Sequence, residues 1–598
     1  MILHSFIELS RFADSLNVPR EIGVPFAERV SKLYHDNGVA WTVQYLKTVY
    51  TDFVRFRAGL SPVGTWYKKA KHSNLPAGAF KPLFRMGLSQ KTSFAATQLL
   101  RCYTAAISPT LRPEQWKKFE DGVTANPIEL PESIVKVVLT SAMKLKLCIR
   151  VGNPSPYFTY SPSDSKRVPD VSGKSVSESE GWQNQHRLSK TKVGAFMLAK
   201  YQPLFSLVLP HNLDHQVDES LPNVVGKIGL IQEPGFKLRA VANPNRVYQH
   251  ALKPLSDELY GLLRSLPWDC THQQEKAIPA IQKRLQQQDN VFCVDLTGAT
   301  DYFPLELQAV LLRNIVKEDA LNSLGLFLDL SRCSWGIPNQ DMTIRWTKGQ
   351  PLGLKPSFAS FALTHGLLLH ALNGHRHDDM FFVLGDDVVI LEESLYQRYL
   401  KCLEYLSCPI SPSKSIVSNR LAEFGGKLIT MTGVESQLKW RQVSDDNFLD
   451  VLRNLGPGAE SLLRTDQREL ARKIAFIPDF LGGLGWNPDG LPLEKRIQMY
   501  LDLQSVNRSA YLMSLSRKMS QYFYDSEGIP PELWKDTFSR SLDQRVALHV
   551  LNHLRFSEVW VDALGVNLRT VAPDVGLPLV NSLQRTTLLQ RLTAMFRQ

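Results

Sequence analysis

The stretch FFVLGDDVVI at residues 381–390 decides how the rest of the chain is read. Valine, isoleucine and phenylalanine favour strands, and a Gly-Asp pair between two such runs reads as a hairpin turn. Gly385 lets the backbone turn without a Cβ clash, so Asp386 and Asp387 stand at the tip of an apolar hairpin. Adjacent carboxylates repel unless a divalent cation lies between them and a partner, which makes the tip a candidate magnesium site. An ordinary surface turn uses the same residues, and the Gly-Asp-Asp triplet alone does not choose between the two.

The chain has 598 residues, 43% hydrophobic and 21% charged, which is the composition of a folded globular protein and not of a disordered or fibrous one. A formal net charge of +11 permits a partner made of phosphates without requiring one. The seven cysteines form no C-x-x-C pair and are odd in number, which argues against a zinc knuckle or a complete disulfide framework and for a reducing compartment. The opening MILHSFIELSRFADS lacks a long apolar core after a basic start, and no run reaches the length of a membrane span, so a soluble intracellular protein is expected.

Residues 1–200 alternate probable helices, such as 25–34 and 39–50, with polar connections. Lys68, Lys69, Lys71, Lys81, Arg85, Lys91 and Arg101 make this region basic, either as a solvated face or as one that touches RNA. Residues 153–180 are rich in serine and proline and read as a linker. The Gly173-Lys174-Ser175 triplet inside it lacks the leading glycine of a phosphate loop, since Val168 stands there.

At residues 227–246, KIGLIQEPGFKLRAVANPNR, a turn at Pro234-Gly235 precedes an alternating run, so a hairpin is expected with Lys237 and Arg239 on one side of a strand. Two cations on one face suit a triphosphate; a basic edge strand guarded against aggregation is the alternative. VFCVDLTGATDYFP at 291–304 puts Asp295 at the end of a short apolar strand and Asp301 near a helix start. Carboxylates from two chain segments are what two-metal phosphoryl transfer needs, so Asp295 pairs naturally with Asp386; a turn residue and a helix cap are the plainer readings. GQPLGLKPSFASFALTH at 349–365 reads as a flexible loop with Gly349 and Gly353 feeding a packed helix, a junction that is either ordinary or one that admits a backbone closely. A helix at 395–406, a turn carrying Lys414 and a hairpin at 422–429 bent at Gly425-Gly426 follow. Beyond residue 430 the chain reads as mostly helical, with 443–455, 498–522 and 541–554 clearest and a glycine-rich turn of packing character at 480–486.

In this order, EPGFKLRAV, DLTGATD, GQPLG…SFASFALTH, VLGDDVVI, SPSKSIVS and EFGGK resemble the motifs of RNA-directed RNA polymerases of positive-strand RNA viruses. The likeness is greatest to the mitovirus, narnavirus and ourmia-like group (Lenarviricota). It implies an α+β right-hand fold, with an antiparallel palm sheet and a mainly helical N-terminal extension and thumb. The expected division is an extension with part of the fingers at 1–200, fingers at 201–285, palm at 286–430 with a fingers insertion near 305–345, and a helical thumb and C-terminal region from 431.

The resemblance implies that Asp295 and Asp386 bind two magnesium ions, for which manganese is a substitute, with Asp387 as auxiliary ligand. It further implies that Asp301 reads the ribose 2′-hydroxyl, that Lys237 and Arg239, with Lys227 as a weaker candidate, hold the triphosphate, and that Lys414 protonates pyrophosphate. Ser357 and Thr364 would position ribose and template beside Gly349 and Gly353. Phe358 stands where many relatives have glycine, and His365 is the candidate substitute for an asparagine missing after Thr364. The implied partners are a single-stranded RNA template, nascent RNA and ribonucleoside triphosphates, with viral or host cofactors unspecified, in the host cytoplasm or alternatively the mitochondrion. A reverse transcriptase shares the palm acids, but Asp301 suits a 2′-hydroxyl where that class usually has a blocking aromatic. A non-catalytic RNA-binding protein would explain the charge and leave the ordered carboxylates without purpose.

Overall fold

The computed structural model describes residues 5–64, 75–154, 188–208, 217–317, 321–337, 342–440, 443, 448–478 and 483–501. The chain divides into two compact units, one formed by residues 1–9, 21–157 and 180–441, the other by 10–20, 158–179 and 442–598.

The long helix α1 (Arg20–Arg57), all but its first residue in the first unit, is interrupted at Gly38 by φ 76° and ψ 172°. The two stretches expected at 25–34 and 39–50 are its two arms. Helices α2 (Ser93–Leu100) and α3 (Pro113–Val123) follow, then the hairpin of β1 (Gly226–Glu233) and β2 (Lys237–Pro244). Its turn needs positive φ at both Gly235 and Phe236, and its register sets Glu233 opposite Lys237. Next come β3 (Val291–Asp295), α4 (Ala299–Tyr302), α5 (Ser357–Leu372), β4 (Phe381–Leu384), β5 (Asp387–Ile390) and α6 (Glu393–Tyr405). Three short strands and a fourth close the unit: β6 (Ile416–Ser418), β7 (Leu421–Phe424), β8 (Lys427–Thr430) and β9 (Val434–Ser436). The 381–390 and 422–429 segments are hairpins, as their sequences lead one to expect.

The sheet that carries the acids has strand order β6-β3-β5-β4 and is antiparallel throughout. Its strands are almost wholly apolar because they are buried: Val291 to Val294 and Val388 to Ile390 are all core residues. Helix α5 packs beside it and is apolar on every side, the pattern of a helix enclosed by a core. Two of its hydroxyls are satisfied within the core, Ser360 Oγ donating to Gln308 Oε1 at 2.7 Å and Thr364 Oγ1 to the Ser360 carbonyl at 2.8 Å. Helices beside an antiparallel sheet make the architecture α+β.

The three-stranded sheet β7-β8-β9 is tied to α1 by a two-pronged ion pair. Arg57 places both terminal nitrogens 2.7 Å from the Glu435 carboxylate, and the side chains are only 5% and 13% exposed. Thr97 of α2 also donates to this carboxylate.

In the second unit, helices α7 (Phe448–Leu455), α8 (Thr465–Lys473) and α9 (Leu493–Leu501) surround the glycine-rich segment. A Cβ at Gly483 would lie 2.2 Å from the Ile477 carbonyl oxygen, and Arg496 donates to the carbonyls of Phe476 and Gly485. Close packing accounts for Gly483, whereas Gly485 has φ 74°. The helix expected at 443–455 is present from Phe448. Residues 502–522, 541–554 and 480–482, and nearly all of the 153–180 linker with its Gly-Lys-Ser triplet, lie outside the described residues.

Removing one partner of a buried ion pair strands the other charge. Arg57→Leu is therefore expected to cost about 3–5 kcal/mol in denaturant unfolding, and Arg57→Leu with Glu435→Leu distinctly less. A single-variant loss below about 1 kcal/mol would mean that water already screens the pair.

Candidate active site

Strands β3 and β5 pair so that Asp295 lies directly opposite Asp387. Side chains opposed across an antiparallel pair have Cβ atoms about 5 Å apart, and like charges there repel. Asp386 occupies the adjoining turn. Lys414, in the loop before β6, puts its Nζ 3.3 Å from Asp295 Oδ2. That loop is held by the Ser411 amide donating to the Asp295 carbonyl at 2.8 Å. Asp386 and Asp387 form no ion pair among the described residues.

Burial, then the Asp295 carboxylate, raises the carboxyl of Asp386 above its usual range, and Lys237 and Arg239 offset this in part. Burial, followed by Asp386, Asp295 and Glu423, pushes Asp387 up to about 7. The set is short of positive charge. Among the described residues no group of three or more His, Cys, Asp or Glu is arranged as a complete metal cage. Magnesium seldom uses such a cage, taking one or two carboxylates and completing its shell with water and phosphate oxygens, and the donor set fits that habit.

The basic hairpin supplies cations nearby. Lys237 and Arg239 lie on the same face of β2. Arg239 Nε donates to Glu233 Oε1 at 2.8 Å, so its fork is already oriented. Lys227 pairs with Asn243 at the opposite end of the hairpin from Lys237, roughly 20 Å along the strand, and is not gathered with the other two. Lys47 of α1 joins them instead. Its stem lies on the hairpin turn, where a Cβ at Gly235 would be 3.5 Å from Lys47 Cε. Burial, then Lys414, Lys237, Lys118 and Arg112, lowers its ammonium to about 8. Arg112 in turn sits over the Phe236 ring, 5.7 Å from its centroid.

Asp301, in the first turn of α4, accepts a hydrogen bond from Trp346 Nε1 at 2.9 Å, and burial pushes its carboxyl up to about 6. The loop at 349–353, expected to be flexible, is pinned. A Cβ at Gly349 would stand 2.1 Å from the Thr300 carbonyl oxygen, and one at Gly353 2.0 Å from that of Ala242. The Gln350 amide donates to Thr300 and the Ala242 amide to Leu352. These glycines permit close backbone approach, so the loop joins the Asp301 turn to the basic strand. Ser357 and Thr364 are buried with their hydroxyls committed to the Pro351 and Ser360 carbonyls, and neither hydroxyl is directed at the acids.

Sequence reasoning passed over Lys47, Lys118, Arg112 and Trp346, because only tertiary packing brings them to the site. Glu423, within EFGGK, carries no local sign of a role. Glu423 is wholly enclosed, accepts from Gln437 Nε2 at 2.8 Å, and adds negative charge beside Asp387. His365 was read as a sugar-selecting substitute; the structure aims its ring elsewhere, at the carbonyl of Gly385, 2.9 Å away.

Residues 173–453, somewhat under half of the chain, match the family model described as mitovirus RNA-dependent RNA polymerase. It is 33% identical over 228 residues to the RNA-directed RNA polymerase of Cryphonectria parasitica mitovirus 1, covering 37% of this chain and 27% of that protein. It is 35% identical over 169 residues to an uncharacterized mitochondrial protein of Arabidopsis thaliana, covering 26% of this chain and 65% of that one. The chain thus spans less than two thirds of either relative. The crystal structure of the RNA-dependent RNA polymerase of a human picobirnavirus aligns with a TM-score of 0.42 and 14% identity, over 70% of this chain and 85% of that one.

A carboxyl raised by burial destabilises the fold once it ionises. The unfolded Asp301 loses its proton near pH 4 and the folded one near 6, so its contribution falls as pH rises through this window and stays low above it. Asp301→Asn, which can still accept from Trp346, is expected to gain about 1–3 kcal/mol over the natural protein at pH 7.5 and nothing at pH 4 in urea unfolding. A variant less stable at pH 7.5 would show that the carboxylate has a cationic partner.

Proposed function

We propose that the protein is an RNA-directed RNA polymerase that copies single-stranded viral RNA from ribonucleoside triphosphates by two-metal nucleotidyl transfer. The observation that carries this reading is the register of β3 and β5, which opposes Asp295 and Asp387 next to Asp386 and within the field of Lys237 and Arg239. Asp295 and Asp386 would hold magnesium, with manganese as a substitute and Asp387 as auxiliary ligand. Magnesium bound there would acidify the primer 3′-hydroxyl and neutralise charge on the departing pyrophosphate.

The chain's own groups do the rest. Lys237 and the Arg239 fork receive the triphosphate. Lys414, resting on Asp295, is within reach to give a proton to pyrophosphate as it leaves. Asp301 presents an acceptor to the ribose 2′-hydroxyl, its other oxygen fixed by Trp346. The likeness over residues 173–453 supports fingers within residues 1–285, a palm at 286–430 and a thumb beyond. The mitochondrial relative supports a mitochondrial site of action over the cytoplasm; among the described residues no helix is long and apolar enough to cross a membrane.

The test is incorporation of labelled ribonucleotides on a single-stranded RNA template with magnesium. The natural protein should give template-dependent product, and Asp386→Ala, shown to be folded and to bind RNA equally, should lose at least about 10²–10³-fold of it, the scale seen when one transition-state-stabilising group is removed. Equal product from both would remove Asp386 from the site. No product from either, with RNA binding intact, would favour a binding protein.

A further inference from the structure

The turn that carries Asp386 is fixed from behind. Gly385 has φ 62°, and a Cβ there would meet the Phe358 ring at 2.8 Å, so conformation and space both demand glycine. A glycine peptide is also the most easily rotated link in a chain, and a rotation at this position swings the next residue's side chain. The Gly385 carbonyl oxygen is held by His365. The imidazole is fully buried, with Nδ1 2.9 Å from that oxygen and Nε2 2.7 Å from the Tyr399 hydroxyl.

The proton positions follow from the partners. A carbonyl can only accept, so Nδ1 must carry the hydrogen, and Nε2 is then a lone pair that receives the Tyr399 O–H. Burial pushes the imidazolium down to about 4, in keeping with one ring proton at neutral pH. The Phe361 ring stacks on the imidazole at 5.2 Å and Phe303 lies 5.8 Å away, leaving it little freedom to turn. Tyr399, on α6, is itself fully buried. The chain α6, His365 of α5, Gly385 thus runs through the core to the peptide that precedes Asp386.

We propose that His365 is a positioning residue which, with its tautomer set by Tyr399, locks the Gly385 peptide and so aims the Asp386 carboxylate. This rests on the polymerase reading. A misplacement of about 1 Å far from the reacting atoms can cost on the order of 10² in rate, and supporting hydrogen bonds are what prevent it.

The experiment uses the full chain and single-nucleotide extension of a primed RNA, with kcat and nucleotide KM measured separately, alongside RNA affinity, melting temperature and the manganese concentration that gives half of the metal-induced thermal shift. His365→Leu removes both hydrogen bonds; kcat should fall roughly 30–100-fold with KM and RNA affinity within twofold, and the manganese midpoint should rise severalfold. His365→Asn keeps a donor where Nδ1 stands and should recover most of kcat. Tyr399→Phe, a small change that keeps the core filled, should lower kcat roughly 3–10-fold by freeing the tautomer. The inference fails if His365→Leu keeps kcat, or if Asn restores no more than Leu does. It fails equally if kcat falls only in step with RNA affinity and melting temperature. If His365→Leu does not fold, full kcat in Tyr399→Phe overturns it. Absence of product from the natural protein would instead count against the polymerase reading, since these comparisons require that product.

Discussion

Two carboxylates face each other across β3 and β5 at the end of a sheet that is otherwise apolar, and the surrounding structure is an answer to their repulsion. A sheet edge does not gain stability from opposed acids. The cost is offset by the core behind them, where Phe292, Val294, Val388 and Ile390 share one hydrophobic cluster with residues of α5. Lys414 forms its ion pair with Asp295. Asp386 and Asp387 are left with raised affinity for protons, which is also raised affinity for a small divalent cation.

The nearby cations are kept from collapsing onto these acids. Arg239 is occupied by Glu233 on its own hairpin, and Lys47 is held by packing of its stem against Gly235. Positive charge therefore stays concentrated beside the negative set, and a polyanion accompanied by divalent metal satisfies both. Preorganisation of this kind is the usual source of catalytic electrostatics, since the dipoles and charges need not reorganise during the reaction.

Much of this was legible in the sequence. Strand composition and turn residues located the hairpins at 226–244, 381–390 and 421–430, because local chemistry determines each. The order of the acids along the chain was legible too. The register that opposes Asp295 to Asp387, and not to its neighbour Asp386, is a property of two strands 92 positions apart and has no local signal. Glycines at 349 and 353 were legible as places where a backbone could approach closely, and the missing Cβ atoms do let three backbones touch, but which backbones meet there has no local signal. His365 was visible as a departure from pattern, and only the path of α5 past Gly385 gives it a partner.

Helix α1 lies far ahead of the matched region in sequence, yet one of its arms rests Lys47 on the turn of the basic hairpin and ends in Arg57, which grips the sheet behind Glu423. The segment matched by the family, residues 173–453, is therefore not a mechanical unit. Cut out by itself, it would keep every acid and lose the brace that holds the basic hairpin and the β7-β8-β9 sheet in register with one another, so the boundary of sequence likeness and the boundary of structural self-sufficiency fall at different places along this chain.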